Sequence, residues 1–257
     1  MNRLLIGNAD KTEQLLKTSG AFLLIDDGEI CDAFLETFPT ARDFDPHKHH
    51  FNPLEGMDYK KARDFADLVY GVSPQGANTL TVRNGKRALV KLLLEQPTGL
   101  DALPTPKTPA EEEAVGMIQD LLVSPILKGV LCGHTNIKFS PNRKFVARID
   151  RAELGDFDAL VLGNLLIGQF QGQVILPDGG FYLREFHTSL IRQNRLIAGL
   201  NSFAEVSKTL EQALVGIKDK VIYRTSPQDA EKLIVYTRHV EPNILVRQTG
   251  LEYTPSE

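Results

Sequence analysis

Several short runs in this chain are apolar at every position. "RLLI" at 3–6 and "FLLI" at 22–25 are the first two. A strand with one wet face alternates apolar and polar residues, whereas a parallel strand covered on both faces reads as a continuous apolar run. This pattern predicts strands near Arg3–Ile6, Phe22–Asp26, Ala41–Phe44, Phe145–Ile149, Val174–Leu176, Leu196–Leu200, Lys220–Tyr223 and Ile244–Arg247. Helical periodicity lies between them, at Thr12–Lys17, Glu29–Thr37, Tyr59–Tyr70, Asn84–Leu94, Ala110–Leu122, Phe157–Phe170 and Gln228–Tyr236. In the last, Ser226 is placed as an N-cap with Pro227 at the first helical position. Strands alternating with helices call for an α/β fold, a mostly parallel sheet flanked by helices. Strand signals vanish over residues 55–137, which read as a helical insertion within one α/β domain spanning 1–257. A segment with Pro97, Pro104, Pro106 and Pro109 reads as an exposed loop, and the tail "LEYTPSE" as loose chain.

Composition narrows the function classes. The net charge is -4, so any contact with nucleic acid has to come from a local basic patch. Two cysteines, Cys31 and Cys132, make neither a disulfide framework nor a cysteine metal site. The start of the chain lacks the apolar core of a signal peptide, and no run approaches the roughly 18 apolar residues of a membrane span. The expected location is the cytoplasm, with no membrane span.

The first strand ends at Gly7 and is followed by Asn8, Ala9, Asp10, Lys11 and Thr12. Strand, glycine, Lys-Thr, helix is the order of a phosphate-binding loop. A working loop has the form G-x-x-x-x-G-K-[ST], long enough for successive backbone N–H groups to face the phosphates. Here the spacing from Gly7 to Lys11 is two residues short, the second glycine is missing, and Asp10 places a negative charge where phosphate would sit. Gly7, Asn8, Lys11 and Thr12 can be read as a nucleotide site, a degenerate one, or a coincidence of order, and only about two helical turns separate Lys11 from the next strand.

Further segments carry a family resemblance. "LLIDDGE", then "ARDFDPHKHHFNPLEGMD", "RKFVARIDRAELGDFDALVLGNLLIGQ", "QVILPDGGFY", "SLIRQNRLIAGLNSFAEV" and "KVIYRTSPQDAEKL" occur in this order. The ordered set resembles the HerA/FtsK-type motor ATPases, in particular the TraG/TraD coupling proteins of type IV secretion and conjugation. That resemblance covers almost the whole chain and implies a RecA-like core, usually assembled as a hexameric ring around DNA. It places a Walker B strand at "QVILPDGG", where Asp178 is kept and Gly179 stands in place of the family's Glu. It places a sensor residue at Asn201 or Ser202 and a ring-contact arginine at Arg192 or Arg195.

The resulting expectation is a non-catalytic relative, a pseudo-ATPase serving as a binding or structural subunit of a phage or mobile-element DNA-transfer system. It would need no cofactor and would partner by self-association or by pairing with an active motor. A second reading keeps an active DNA motor, with ATP and magnesium held by Lys11, Thr12, Asp178, Asn201 and Arg192. A third is a metal-dependent hydrolase using the strand-end acids Asp26, Asp45, Asp150 and Asp178. An unrelated Rossmann-like enzyme remains the coincidental alternative.

Two weaker patterns complete the set. On an extended strand His47 and His49 would point the same way and Asp45 could join them as metal ligands, against the plainer reading of an exposed polar loop. Arg83, Lys86, Arg87 and Lys91 fall at helical spacing opposite Leu89, Val90, Leu92 and Leu93. Such a face can meet DNA phosphates or simply be solvated. Tyr59-Lys60-Lys61-Ala62-Arg63 is a lesser stripe of the same kind.

Overall fold

The structure is a computed structural model, and it describes residues 2–7, 10–72, 79–217, 219–222, 228–229 and 244–246. The elements run β1 (Arg3–Ile6), α1 (Thr12–Leu15), β2 (Phe22–Asp26), α2 (Glu29–Thr37), β3 (Arg42–Phe44), α3 (Tyr59–Val72), α4 (Thr79–Leu94), α5 (Pro109–Leu121) and α6 (Pro125–Cys132). They continue with β4 (Phe145–Arg148), α7 (Arg151–Leu154), α8 (Asp156–Gln169), β5 (Gln173–Leu176), α9 (Gly179–Tyr182), α10 (Thr188–Arg192), β6 (Leu196–Leu200), α11 (Lys208–Val215), β7 (Asp219–Ile222) and β8 (Ile244–Val246). The predicted helix at Gln228–Tyr236 lies outside the described residues save Gln228 and Asp229, and the tail lies outside them altogether.

The strands form one sheet in the order β3-β4-β2-β5-β6-β1-β7-β8, and every pairing is parallel. Alternate residues of each strand face opposite layers. Leu4, Ile6, Leu23 and Ile25 belong to one hydrophobic cluster, while Leu5, Phe22 and Leu24 belong to a second on the other face. This double burial is why the strands read as unbroken apolar runs.

Handedness assigns each helix to a face. The connections β1–β2 and β2–β3 run one way along the sheet, and their helices α1 and α2 put Leu15, Cys31 and Phe34 into the second cluster. The connections from β3 through β7 run the other way, and α3, α4, α5, α6, α8 and α11 pack into the first. Right-handed crossovers of opposite direction lie on opposite faces.

Residues between β3 and β4 contain helices and no strand among those described. Their ends are chemically marked: Thr108 and Ser124 accept hydrogen bonds from Glu111 N (3.3 Å) and Leu127 N (3.2 Å), with Pro109 and Pro125 at the first helical positions. Periodicity did not single out α6, α7, α9, α10 or α11, whose 4 to 8 residues give too few turns to show a pattern.

His187 is buried at the start of α10, and its Nδ1 accepts the Arg184 N–H at 3.0 Å. Burial, reinforced by the nearby Arg184 charge, pushes its pKa down from 6.5 to about 3. Between those values the unfolded chain binds the proton and the folded chain does not, so stability is full above pH 6.5 and falls as the pH drops. Urea denaturation at a series of pH values should show a slope of up to about 1.4 kcal/mol per pH unit across this window, and His187→Gln should remove that component.

Candidate functional site

In a parallel sheet the loops after the strands gather at the carboxyl edge, where α/β proteins place their ligands. β5, β6 and β1 are neighbours, and the residues that follow them are Asp178, Asn201 and Lys11. The turn after β1 begins at Gly7, whose φ of +116° suits glycine and whose N–H donates to Leu200 O at 2.9 Å. Asn8 and Ala9 are not described. Asp10 Oδ1 accepts the Thr12 N–H at 2.8 Å, closing the turn that starts α1.

Lys11 is 9% exposed. Its stem lies against Gly199, where a Cβ would come within 3.0 Å of Lys11 Cδ, and its Nζ donates to Asn201 Oδ1 at 3.2 Å. Burial lowers its pKa, while the charges of Glu205, Asp178 and Asp10, in that order, favour the ammonium. The lysine therefore points at neighbouring strand ends within its own sheet. The helix behind it, α1, is 4 residues long and contributes little dipole.

Asp178 is engaged on both oxygens: Oδ1 accepts the Phe181 N–H at 3.2 Å as the cap of α9, and Oδ2 accepts from Arg151 Nη1 at 2.7 Å. Arg151 also lies 3.8 Å over the Phe181 ring. Gly179 has no room for a side chain, because a Cβ there would fall 2.7 Å from Gly199 O. Gly199 is pressed in turn, its own Cβ position lying 2.1 Å from Pro177 O. Beside Asn201, Ser202 donates to Asp229 Oδ2 at 2.7 Å, and Asp229 is buried.

Other candidates sit elsewhere. Arg192 is exposed at the end of α10, which precedes the amino end of β6 and so lies at the edge opposite Lys11. Arg195 is on that same edge, donating to Gly172 O at 2.9 Å and to Phe170 O. The strand-end acids serve local structure: Asp26 accepts from Gly28 N (3.1 Å) and Ile30 N (3.2 Å), and Asp150 accepts from Ala152 N (2.8 Å) and Glu153 N (3.3 Å). Burial raises the Asp26 pKa.

The segment after β3 does not stay extended, which corrects the reading of paired imidazoles. Asp45 Oδ1 accepts the His47 N–H at 2.9 Å, and the chain turns over residues 46–48. His47 Nε2 then meets Glu153 at 3.1 Å, His49 Nδ1 accepts the Asp45 N–H at 3.0 Å, and Lys48 pairs with Asp45 at 2.6 Å. Among the described residues no three His, Cys, Asp or Glu side chains are arranged to hold a metal ion.

On α4, Lys86 pairs with Asp67 (2.8 Å) and Lys91 with the buried Glu111 (2.7 Å), while Arg83 and Arg87 are exposed. Sequence reasoning had treated the four as one face. It also passed over Glu205 and Arg151, which reach the site from a turn and a short helix with no motif of their own.

No protein-family model and no curated protein matches the chain. Solved structures do. A bacterial conjugative coupling protein, TrwBdeltaN70, aligns over 90% of this chain and 71% of its own with a TM-score of 0.58 at 12% identity. VirB4 of Thermoanaerobacter pseudethanolicus aligns over 93% of this chain and 81% of its own, with a TM-score of 0.50 at 12% identity. The plasmid coupling protein TrwB in complex with ADP and Mg2+ aligns over 92% and 68%, with a TM-score of 0.50 at 12% identity. This is the RecA-like P-loop fold. The likeness is one of fold and extends over 90% of the chain.

Because Gly179 abuts β6, the structure leaves no space for an acidic side chain there. Gly179→Glu is expected to destabilise the protein by at least about 1–3 kcal/mol in urea denaturation, through forced displacement of β6.

Proposed function

We propose that this chain is a non-catalytic relative of the coupling ATPases, a binding or structural subunit of a DNA-transfer system in a phage or mobile element. The observation that carries this reading is Lys11, buried and bonded to Asn201 with Asp178 and Glu205 nearby. A phosphate-binding lysine has to offer its ammonium to an incoming ligand. Here strand-end groups of the same sheet already surround it. The likeness to TrwB, which has been seen with ADP and Mg2+, supports an ATPase-like ancestry. Self-association or pairing with an active motor follows from the same likeness as the mode of action, and no cofactor is needed.

Thermal unfolding with millimolar ADP–Mg or ATP–Mg tests this. A ligand at a hundred times its Kd stabilises by about 2.7 kcal/mol, a rise of a few degrees for a domain this size. The expected result is no shift and no ATP hydrolysis. A clear shift, or magnesium-dependent hydrolysis lost in Lys11→Ala, replaces this proposal with an active motor.

DNA is the partner the family suggests, and the exposed pair on α4 is the place for it. Arg83→Glu/Arg87→Glu should weaken binding to a short duplex and flatten its salt dependence by about one to two phosphate contacts. Lys91→Ala should act mainly on stability, because it strips a buried carboxylate of its partner. Fluorescence anisotropy over a salt series separates the two.

A further inference from the structure

Glu205 closes a short 3-10 turn after β6, at Phe203–Glu205. Its position is fixed by a chain of bonds. Ser202 Oγ caps the turn by accepting the Ala204 N–H at 3.1 Å and is itself held by Asp229, which also accepts the Phe203 N–H at 3.4 Å. Glu205 Oε2 then accepts the Asn201 N–H at 3.2 Å. The carboxylate lies against Gly180, where a Cβ would sit 2.3 Å from Oε2. A residue with any side chain at 180 would expel it. The glycine after Gly179 thus makes room for an acid from the turn after the neighbouring strand.

Asn201 links this carboxylate to the lysine. Its backbone N–H holds Glu205 and its side-chain oxygen takes Lys11 Nζ. We infer that Glu205 is the specificity-determining residue of the Lys11 site: its carboxylate supplies the negative charge that a phosphate would bring, and so excludes phosphate from the ammonium. Asp10, on the turn before Lys11, and Asp178, at the end of β5, act in the same sense, but each is engaged in a turn or a cap. Among these acids Glu205 is the one bonded to the residue that holds the lysine. The inference rests on the preceding proposal that this site does not take nucleotide.

Glu205→Gln is the discriminating variant. The amide oxygen keeps an acceptor for the Asn201 N–H and nearly the same volume, while the charge is removed. ADP–Mg binding is measured by isothermal titration calorimetry for the native chain, E205Q and K11A/E205Q, each checked for an unchanged thermal transition. The expected result is at least tenfold tighter binding in E205Q than in the native chain, abolished in K11A/E205Q. Equal binding in the native chain and E205Q, including none in either, overturns the inference. So does a gain that survives removal of Lys11. Tight native binding of ADP–Mg overturns the proposed function and the inference with it, whereas absence of binding in both the native chain and E205Q overturns the inference alone. If the native chain hydrolyses ATP and E205Q does not, Glu205 is a catalytic acid replacing the one absent at 179, and the inference falls.

Discussion

Eight parallel strands cannot be joined by hairpins, and the rest of this structure follows from that. Each connection must cross the sheet to bring the chain back to the same starting edge. The crossovers are right-handed, so their direction along the sheet decides which face they cover. The chain moves first in one direction, from β1 to β2 to β3, and then back through β4, β5, β6 and β7. Its helices are therefore divided unequally. α1 and α2 lie on one face, and the long helices, including those between β3 and β4, share the core of the other. All strand ends of one polarity meet at a single edge. Lys11, Asn201 and Asp178 come together for that reason, although most of the chain separates the first from the others.

At that edge the sheet has taken up its own charges. Burying an ammonium is costly unless donors and charges around it are satisfied. Lys11 meets this requirement through Asn201 and the nearby carboxylates. Asp178 meets it through the α9 backbone and Arg151. An apo phosphate site keeps open donors on a loop of sufficient length, with a helix dipole behind them. The spacing from Gly7 to Lys11 is two residues shorter than in such a loop, and the helix that follows has 4 residues.

The strands were legible because double burial leaves no room for polar residues, so Leu4-Leu5-Ile6 and Leu23-Leu24-Ile25 announce themselves locally. The long helices were legible for a related reason, a periodic apolar face. Short helices carry no such signal; caps such as Ser207 and Asp178 mark them, and those residues are equally common in turns. The His47/His49 reading failed because Asp45 and Pro46 bend the chain, and period-two geometry does not survive a turn. The division of the α4 cations was hidden because it depends on Asp67 and Glu111, which lie on other helices. In the site, Lys11, Asp178 and Asn201 were visible through their place after strands. Glu205 and Arg151 were not, since they reach the end of β5 from opposite sides, one from the turn after β6 and the other from the helix after β4, across β2.

The glycines after β5 set how closely the strand ends at this edge approach one another. Gly179 packs on Gly199 O, and Gly199 on Pro177 O, so the ends of β5 and β6 approach more closely than side chains would permit. An acid at 179 is incompatible with that contact. Gly180 admits Glu205 from the far side of β6. These contacts lie at the carboxyl edge. The two apolar layers are built from alternate strand residues and from the helices and turns that cover them, Phe203 in the Glu205 turn among them. Lys11, Asn201 and Glu205 are held together at that edge by hydrogen bonds and charge.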